Sequence, residues 1–309
     1  MTEAITITNA ELLPPLFALY RWGIAVIQHI QTIQSPGLTA FIKILTALGT
    51  EYFYLPVILF IFWCLDKKKG ARLGMFIILS AFINGFFKEL LKQPRPFNLE
   101  PSVGLAFEPS YGIPSGHAQL SLCFALSLAL WYGRSAGIRI GAVLFVLLIA
   151  LTRLYLGLHF PTDILAGWLL GLFTLVLWRV FEKRAVPLLN NLRIRMIAAA
   201  AAAIGMNALY PADRSLGGLF LGFTAGYALM LKYFPTGASD GVPLIVRLPR
   251  YLLGIAGGIL IYQALKALPF LGAASPYYDL GRFVRYGLLG LWASAGAPWL
   301  FLRLRLVEQ

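Results

Sequence analysis

Two histidines, an aspartate and three cations stand where long apolar stretches of this chain end, and these are the residue types that phosphoryl transfer requires. They form three groups: Lys88 with Arg95-Pro96, then Pro114-Ser115-Gly116-His117, then Arg153 with His159 and Asp163. Arg95 lies between Pro94 and Pro96, so its planar fork of donors, suited to phosphate oxygens, rides on stiff non-helical chain. Ser115 and Gly116 precede an apolar stretch and fit a helix N-terminal cap, where open amide groups and the helix dipole favour an anion. Glycine there permits close approach of a phosphate. Asp163 follows His159 by four residues, in the first turn of a helix begun by Pro161. A carboxylate so placed can hold one imidazole nitrogen and leave the other nucleophilic. Each group also has an ordinary role: Lys88 as a snorkelling anchor, Ser115 as a plain cap, Asp163 as a capping acid paired with Arg153.

The elements that must position these groups are membrane helices. Of 309 residues, 59% are hydrophobic and 13% charged, a balance that excludes an ordinary soluble domain. The apolar stretches run for roughly 17 to 25 residues, the length that crosses a hydrocarbon core of about 30 Å. Runs such as 142–151 and 196–203 are continuously apolar, which argues against the alternating strands of a closed barrel. The fold class is therefore all-α, a polytopic transmembrane helical bundle. Spans are expected near 41–64, 73–91, 118–132, 140–158, 164–181, 197–210, 216–231, 251–268 and 283–302. Residues 12–34 carry Arg21, His29 and three glutamines, and form either an interfacial amphipathic helix or a tenth span.

A net charge of +13 would suit nucleic acid, but the position of the cations decides against it. Lys67, Lys68, Lys69 and Arg72 are expected in one short loop, Arg134 and Arg139 in another, then Lys183, Arg184, Arg193 and Arg195. Lys232, Arg247 and Arg250 share a further loop, the longest late one (235–249), and Arg303 and Arg305 close the series. Every second loop is basic, which is the positive-inside pattern. It places these loops on the cytoplasmic side and the 92–115 loop and the 159–161 turn on the other, so the three groups share one face. Cys64 and Cys123 fall inside spans, so neither a disulfide framework nor a metal cluster is indicated. Residues 1–11 lack a secretory signal pattern. Gly218, Gly222 and Gly226 recur every fourth residue, which suits close helix packing within the chain or a homodimer seam.

The pattern of Lys88, six residues, Arg95-Pro96, then Pro114-Ser115-Gly116-His117, then Thr152-Arg153, five residues, His159, three residues, Asp163 resembles the three-part signature of the type 2 phosphatidic acid phosphatase family. The motifs span 88–163, and with flanking helices the resemblance covers roughly 40–182. Thr152 stands where the family usually has serine, which keeps a hydroxyl. The resemblance implies a six-helix phosphatase core at 39–185, preceded by the 1–38 segment and followed by about four additional helices at 192–309. That added region is similar in layout to sphingosine-phosphate phosphatases. The implied activity is metal-independent and cofactor-free hydrolysis of a lipid phosphate or pyrophosphate. His159 would be the nucleophile, Asp163 its orienting partner and His117 the acid and base, with Lys88, Arg95, Ser115, Gly116 and Arg153 around the phosphate. A phosphotransferase passing the group to a second lipid, or a non-catalytic lipid-phosphate transporter, remains open. A bacterial plasma membrane is the expected location, with membrane lipids and a lipid phosphate as partners.

Overall fold

Thirteen α-helices account for about three-quarters of the residues described in a computed structural model, which are 14–133, 135–189, 191–234, 243–268 and 275–306. The expectations for residues 1–11 and Arg134, and for the first half of the 235–249 loop, lie outside them. The helices are α1 (Pro14–Ile30), α2 (Pro36–Thr46), α3 (Glu51–Phe60), α4 (Lys67–Leu91), α5 (Pro96–Leu99), α6 (Gly116–Tyr132) and α7 (Ala136–Tyr155). They continue with α8 (Pro161–Arg184), α9 (Leu192–Leu209), α10 (Arg214–Tyr233), α11 (Leu244–Lys266), α12 (Tyr278–Leu291) and α13 (Ala297–Arg303). No strand occurs among the described residues, as the unbroken apolar runs require.

Six of these helical segments are long and apolar enough to cross a membrane, or seven if the bent pair Pro36–Gly49 and Glu51–Leu65 is one span, where the sequence suggested nine. The continuous span expected over 41–64 is interrupted because Thr50 adopts an extended conformation and its hydroxyl donates to the Ala47 carbonyl at 2.6 Å, ending one helix before Glu51 starts the next. The stretch 283–302 is continuous helix, α12 passing through a wide turn, Trp292–Gly296, into α13, but it is not among the six. Helix α6 has 17 residues. Helix α1, the interfacial-or-spanning segment, is also not among the six.

Several cations expected in loops belong instead to helix ends. Asp66 caps α4 by accepting from the Lys69 amide at 2.9 Å, so Lys67 to Arg72 form the first turns of that helix. Lys183 and Arg184 close α8, while Arg193 and Arg195 open α9 behind the Asn191 cap. Arg139 lies within α7, Lys232 within α10, and Arg247 and Arg250 within α11.

The chain divides into two compact units, Met1–Tyr54 with Ile83–Val176, and Leu55–Phe82 with Leu177–Gln309. In the first, α7 packs on α6, α2 and α1. Tyr20 stacks near Phe160, with ring centres 4.6 Å apart, and donates to Gln93 at 2.7 Å. Gln31 donates to the carbonyls of Val103 (2.9 Å) and Tyr155 (2.8 Å), tying the end of α1 to two distant parts of the chain. Gly157 takes a φ of +65°, and a side chain there would run into the Val103 carbonyl.

In the second unit α10 packs on α9 and α12. The glycine stripe is consumed within the chain: side chains at Gly218, Gly222 and Gly226 would strike the Phe283 and Gly287 carbonyls and the Ser294 hydroxyl. This intramolecular packing accounts for the four-residue repeat that also suggested a homodimer seam. Arg250, buried, donates to the carbonyls of Trp63 (2.8 Å) and Leu306 (2.5 Å). Both cysteines are buried and unbridged.

Candidate active site

All three groups of candidate site residues belong to the first compact unit. Lys88 comes from the last turn of α4, and Arg95 is the extended residue that starts α5, its amide donating to Asn98 at 2.9 Å. Ser115 caps α6, accepting from the Ala118 amide at 3.5 Å, and its own amide donates to the Asp163 carbonyl at 2.9 Å. The cap of α6 is thus tied to the first turn of α8, the helix that carries the third group. Arg153 lies in the last turn of α7 and His159 in the link to α8.

Asp163 accepts from the Phe160 amide at 2.9 Å and pairs with His159 Nδ1 at 3.2 Å, the orienting contact that the four-residue spacing suggested. With Nδ1 engaged by a carboxylate, the lone pair of His159 belongs to Nε2. That nitrogen is 3.3 Å from Arg95 Nη1. His159 is 1% exposed, and burial first, then the positive charges of Arg95 and Lys88, push its pKa well below the ordinary histidine value. A neutral imidazole results, the form that can act as a nucleophile.

Arg95 is 1% exposed yet fully engaged. It donates from Nε to the Ser110 carbonyl (2.6 Å), from Nη1 to the Leu158 carbonyl (2.9 Å) and from Nη2 to Ser110 Oγ (2.8 Å). Arg153, equally buried, donates to Thr46 Oγ1 at 2.8 Å. Thr152, which replaces the usual serine, also donates its hydroxyl to Thr46 Oγ1 at 3.1 Å and to the Ile149 carbonyl at 2.7 Å. Lys88 Nζ donates to the carbonyls of Tyr111 and, at 3.0 Å, Gly112.

The partner that sequence reasoning missed is Glu108. Its carboxylate bridges the two arginines, 2.9 Å from Arg95 Nη2 and in direct contact with Arg153 Nη2, so Arg153 pairs with Glu108 and not with Asp163. Burial alone would raise the Glu108 pKa, but Arg153 and Arg95 outweigh it and hold the acid down at about 2. An acid that neutralises two buried cations inside a loop has no fixed spacing to reveal it. The signal was the surplus of positive charge over the single Asp163.

His117 is set by an unexpected neighbour. A side chain at Gly49 would come within 2.7 Å of His117 Cδ2 and 3.0 Å of Ile149 Cγ2, so the imidazole rests on the glycine of the break between α2 and α3. His117 Nε2 is buried and has no hydrogen-bond partner. Arg153, Glu108, Arg95 and Lys88 all act on it electrostatically, which places the second histidine among the same charges. Gly116 opens α6. The space beside it is filled by Asn84, whose Oδ1 would lie 2.9 Å from an added Cβ and whose amide donates to Pro114 (3.2 Å) and Gln119 (2.8 Å). Gly112 is the other glycine required here, since a Cβ would approach the Pro94 carbonyl to 2.5 Å and Asp163 Oδ2 to 3.2 Å.

Comparison with known proteins gives this geometry its family. Residues 69–187 match the PAP2 superfamily, and residues 214–309 match the PAP2 superfamily phosphatase transmembrane extension. The chain is 32% identical over 149 residues to an undecaprenyl-diphosphatase of Sulfolobus acidocaldarius, covering 47% of this chain and 70% of that one. It is 35% identical to mouse sphingosine-1-phosphate phosphatase 2 over 132 residues, 40% of this chain and 37% of that protein, so it spans little more than a third of that relative's length. Among solved structures, the PAP2-type phosphatidylglycerolphosphate phosphatase of Bacillus subtilis aligns with a TM-score of 0.46 at 26% identity, covering 54% of this chain and 88% of that one. The chain belongs to the PAP2 superfamily, as a membrane hydrolase of the lipid phosphatase kind that carries the superfamily's transmembrane extension.

Proposed function

We propose that the protein hydrolyses a lipid phosphate or diphosphate through a phosphohistidine, without a metal, on the non-cytoplasmic face of a membrane. The observation that carries this reading is the bridge between Arg95 and Arg153. The Glu108 carboxylate sits in the fork of two buried guanidiniums, one of which also touches His159 Nε2. A phosphate group entering that fork brings its phosphorus to the imidazole nitrogen left free by Asp163.

In the first step His159 Nε2 forms the P–N bond as the P–O bond to the lipid breaks, and protonated His117 gives its proton to the departing oxygen. In the second, His117 takes a proton from water, the oxygen of that water attacks phosphorus, and the P–N bond breaks to release inorganic phosphate. Arg95 and Arg153 stabilise the charge on the non-bridging oxygens as it moves, with Lys88, the Ser115 cap and the Gly116 amide completing the surround. Relatives named for a diphosphate and for a phosphomonoester of lipids support a site that reads the phosphate more than the tail.

The test is to quench purified protein during turnover of a radiolabelled lipid phosphate, with chelator present, and to look for acid-labile, base-stable label. Wild type is expected to carry it and His159→Ala to carry none and to release no phosphate. Full phosphate release by His159→Ala overturns the mechanism. Label transferred to a second lipid in place of water makes the protein a phosphotransferase.

A further inference from the structure

The second compact unit contains a cavity of about 530 Å3, a size at which proteins hold small molecules, lined by α4, α8, α9, α10 and the 186–188 turn. Its inner wall is hollow for a simple reason. Helix α9 runs through an alanine tract, and Ala198, Ala199 and Ala202 present one small face where larger residues would have filled the space. Trp178 and Phe220 supply apolar walls from α8 and α10.

The polar residues of the lining are of a different character. Lys68, Arg72 and Arg195 face one acid, Glu182. Glu182 is already held by Arg72 through two hydrogen bonds, of 2.5 and 2.6 Å, so the lining keeps the positive charge of Lys68 and Arg195. Arg195 is anchored by its Nε on the Leu189 carbonyl at 2.8 Å. In addition, Thr224 lines the cavity with a buried hydroxyl that has no hydrogen-bond partner, a donor that an ester oxygen would satisfy. These features call for a ligand with an anionic end, a polar linker and an apolar body. A free anion would need no alanine-walled hollow, and a neutral hydrocarbon would leave two cations and a hydroxyl unanswered.

We propose that this cavity binds one anionic phospholipid, its phosphate held by Lys68 and Arg195 and one acyl chain lying along the alanine face of α9. Basic pockets between membrane helices on the cytoplasmic side suit such headgroups, and both basic stretches belong to the cytoplasmic set by the charge pattern. No residue is shared with the phosphate-handling cluster, so the two readings stand or fall separately.

Trp178 provides the probe. In nonionic micelles, the part of the tryptophan emission lost in Trp178→Phe is titrated with phosphatidylglycerol or phosphatidylcholine carrying brominated acyl chains, which quench indole on contact. Saturable quenching is expected at a lower concentration for the anionic lipid. Lys68→Gln and Arg195→Gln should each raise the half-saturating concentration about fivefold. Ala199→Phe, or Ala202→Leu should the former fail to fold by thermal melting, is expected to abolish the saturable part. Equal quenching by both lipids, or quenching unchanged in the filled variants, overturns the proposal. Relief of quenching by millimolar inorganic phosphate locates the headgroup at the cations, whereas protection by phosphate with no saturable lipid quenching makes the cavity an anion site and also overturns it.

Discussion

Replacing Glu108 with glutamine should make the protein less stable and yet bind phosphate more tightly. Glu108 contacts Arg95 and Arg153, both 1% exposed, while its own side chain is 30% exposed. A charge-assisted hydrogen bond contributes roughly 1.5–3 kcal/mol, and partial exposure of the carboxylate reduces each contact to about 1 kcal/mol. An incoming phosphate must replace both contacts, so removing the carboxylate should tighten phosphate binding by about 2 kcal/mol, roughly 30-fold. Without an anion, however, Glu108→Gln leaves two buried guanidiniums uncompensated, at a cost of about 3 kcal/mol. Phosphate at about 100 times its dissociation constant returns about 2.7 kcal/mol. The assay is thermal melting of both proteins across a phosphate series, with product inhibition of phosphate release as the second measurement. The variant should melt lower without phosphate, gain more from it, and show the smaller inhibition constant. If phosphate stabilises both equally, or inhibits the variant less, then the anion does not take the place of Glu108 and the two arginines are not its site.

Other perturbations address the remaining groups. His117→Ala should lower kcat by at least about 100-fold through loss of the general acid, and a leaving group of low pKa should restore part of it; equal loss with every leaving group would remove His117 from that role. Gly49→Ala, which crowds the His117 ring at 2.7 Å, should reduce kcat about 10- to 100-fold, with unchanged rates ruling out Gly49 as the rest for that imidazole. Because His159 is held neutral, the acid limb of kcat/KM that reports its protonation should fall below the ordinary histidine value of 6.5. Glu108 has a folded pKa below its unfolded one, so its contribution to stability is complete above about pH 4.5 and is lost as pH falls through about 2. Acid melting curves of wild type should show that loss, and those of Glu108→Gln should not.

The fold class and the family motifs were legible in the sequence, and the helix limits were not. Lys88, Arg95, His117, Arg153, His159 and Asp163 stand out by residue type and spacing, since cations alone, such as Lys183, Arg184 and Lys232, also end apolar helices. The His159–Asp163 pairing followed from a four-residue spacing, a local relation that a sequence displays directly. Glu108, Thr46 and Gly49 were hidden because their roles depend on contacts made across 45, 107 and 68 residues of chain. Helix limits were misjudged for a physical reason as well. Hydropathy marks where the apolar part of a helix ends, whereas Asp66 and Asn191 start α4 and α9 by capping free amides, which draws Lys67 to Arg72 and then Arg193 and Arg195 into helix. Gly116 was assigned to phosphate approach by position alone, and only the packing reveals the Asn84 carboxamide beside it.

The carboxamide of Gln31 has a consequence for how much of the chain frames the candidate site. By holding Val103 and Tyr155 at once, it fastens the base of the loop that delivers Glu108 and the end of the helix that delivers Arg153. Shortening the polypeptide to the stretch matched at 69–187 would discard this clasp, together with the Thr46 contact of Arg153 and the Gly49 rest of the His117 ring. The N-terminal helices are therefore part of the frame around the candidate site, and a shortened chain that keeps all of these contacts starts before Gln31.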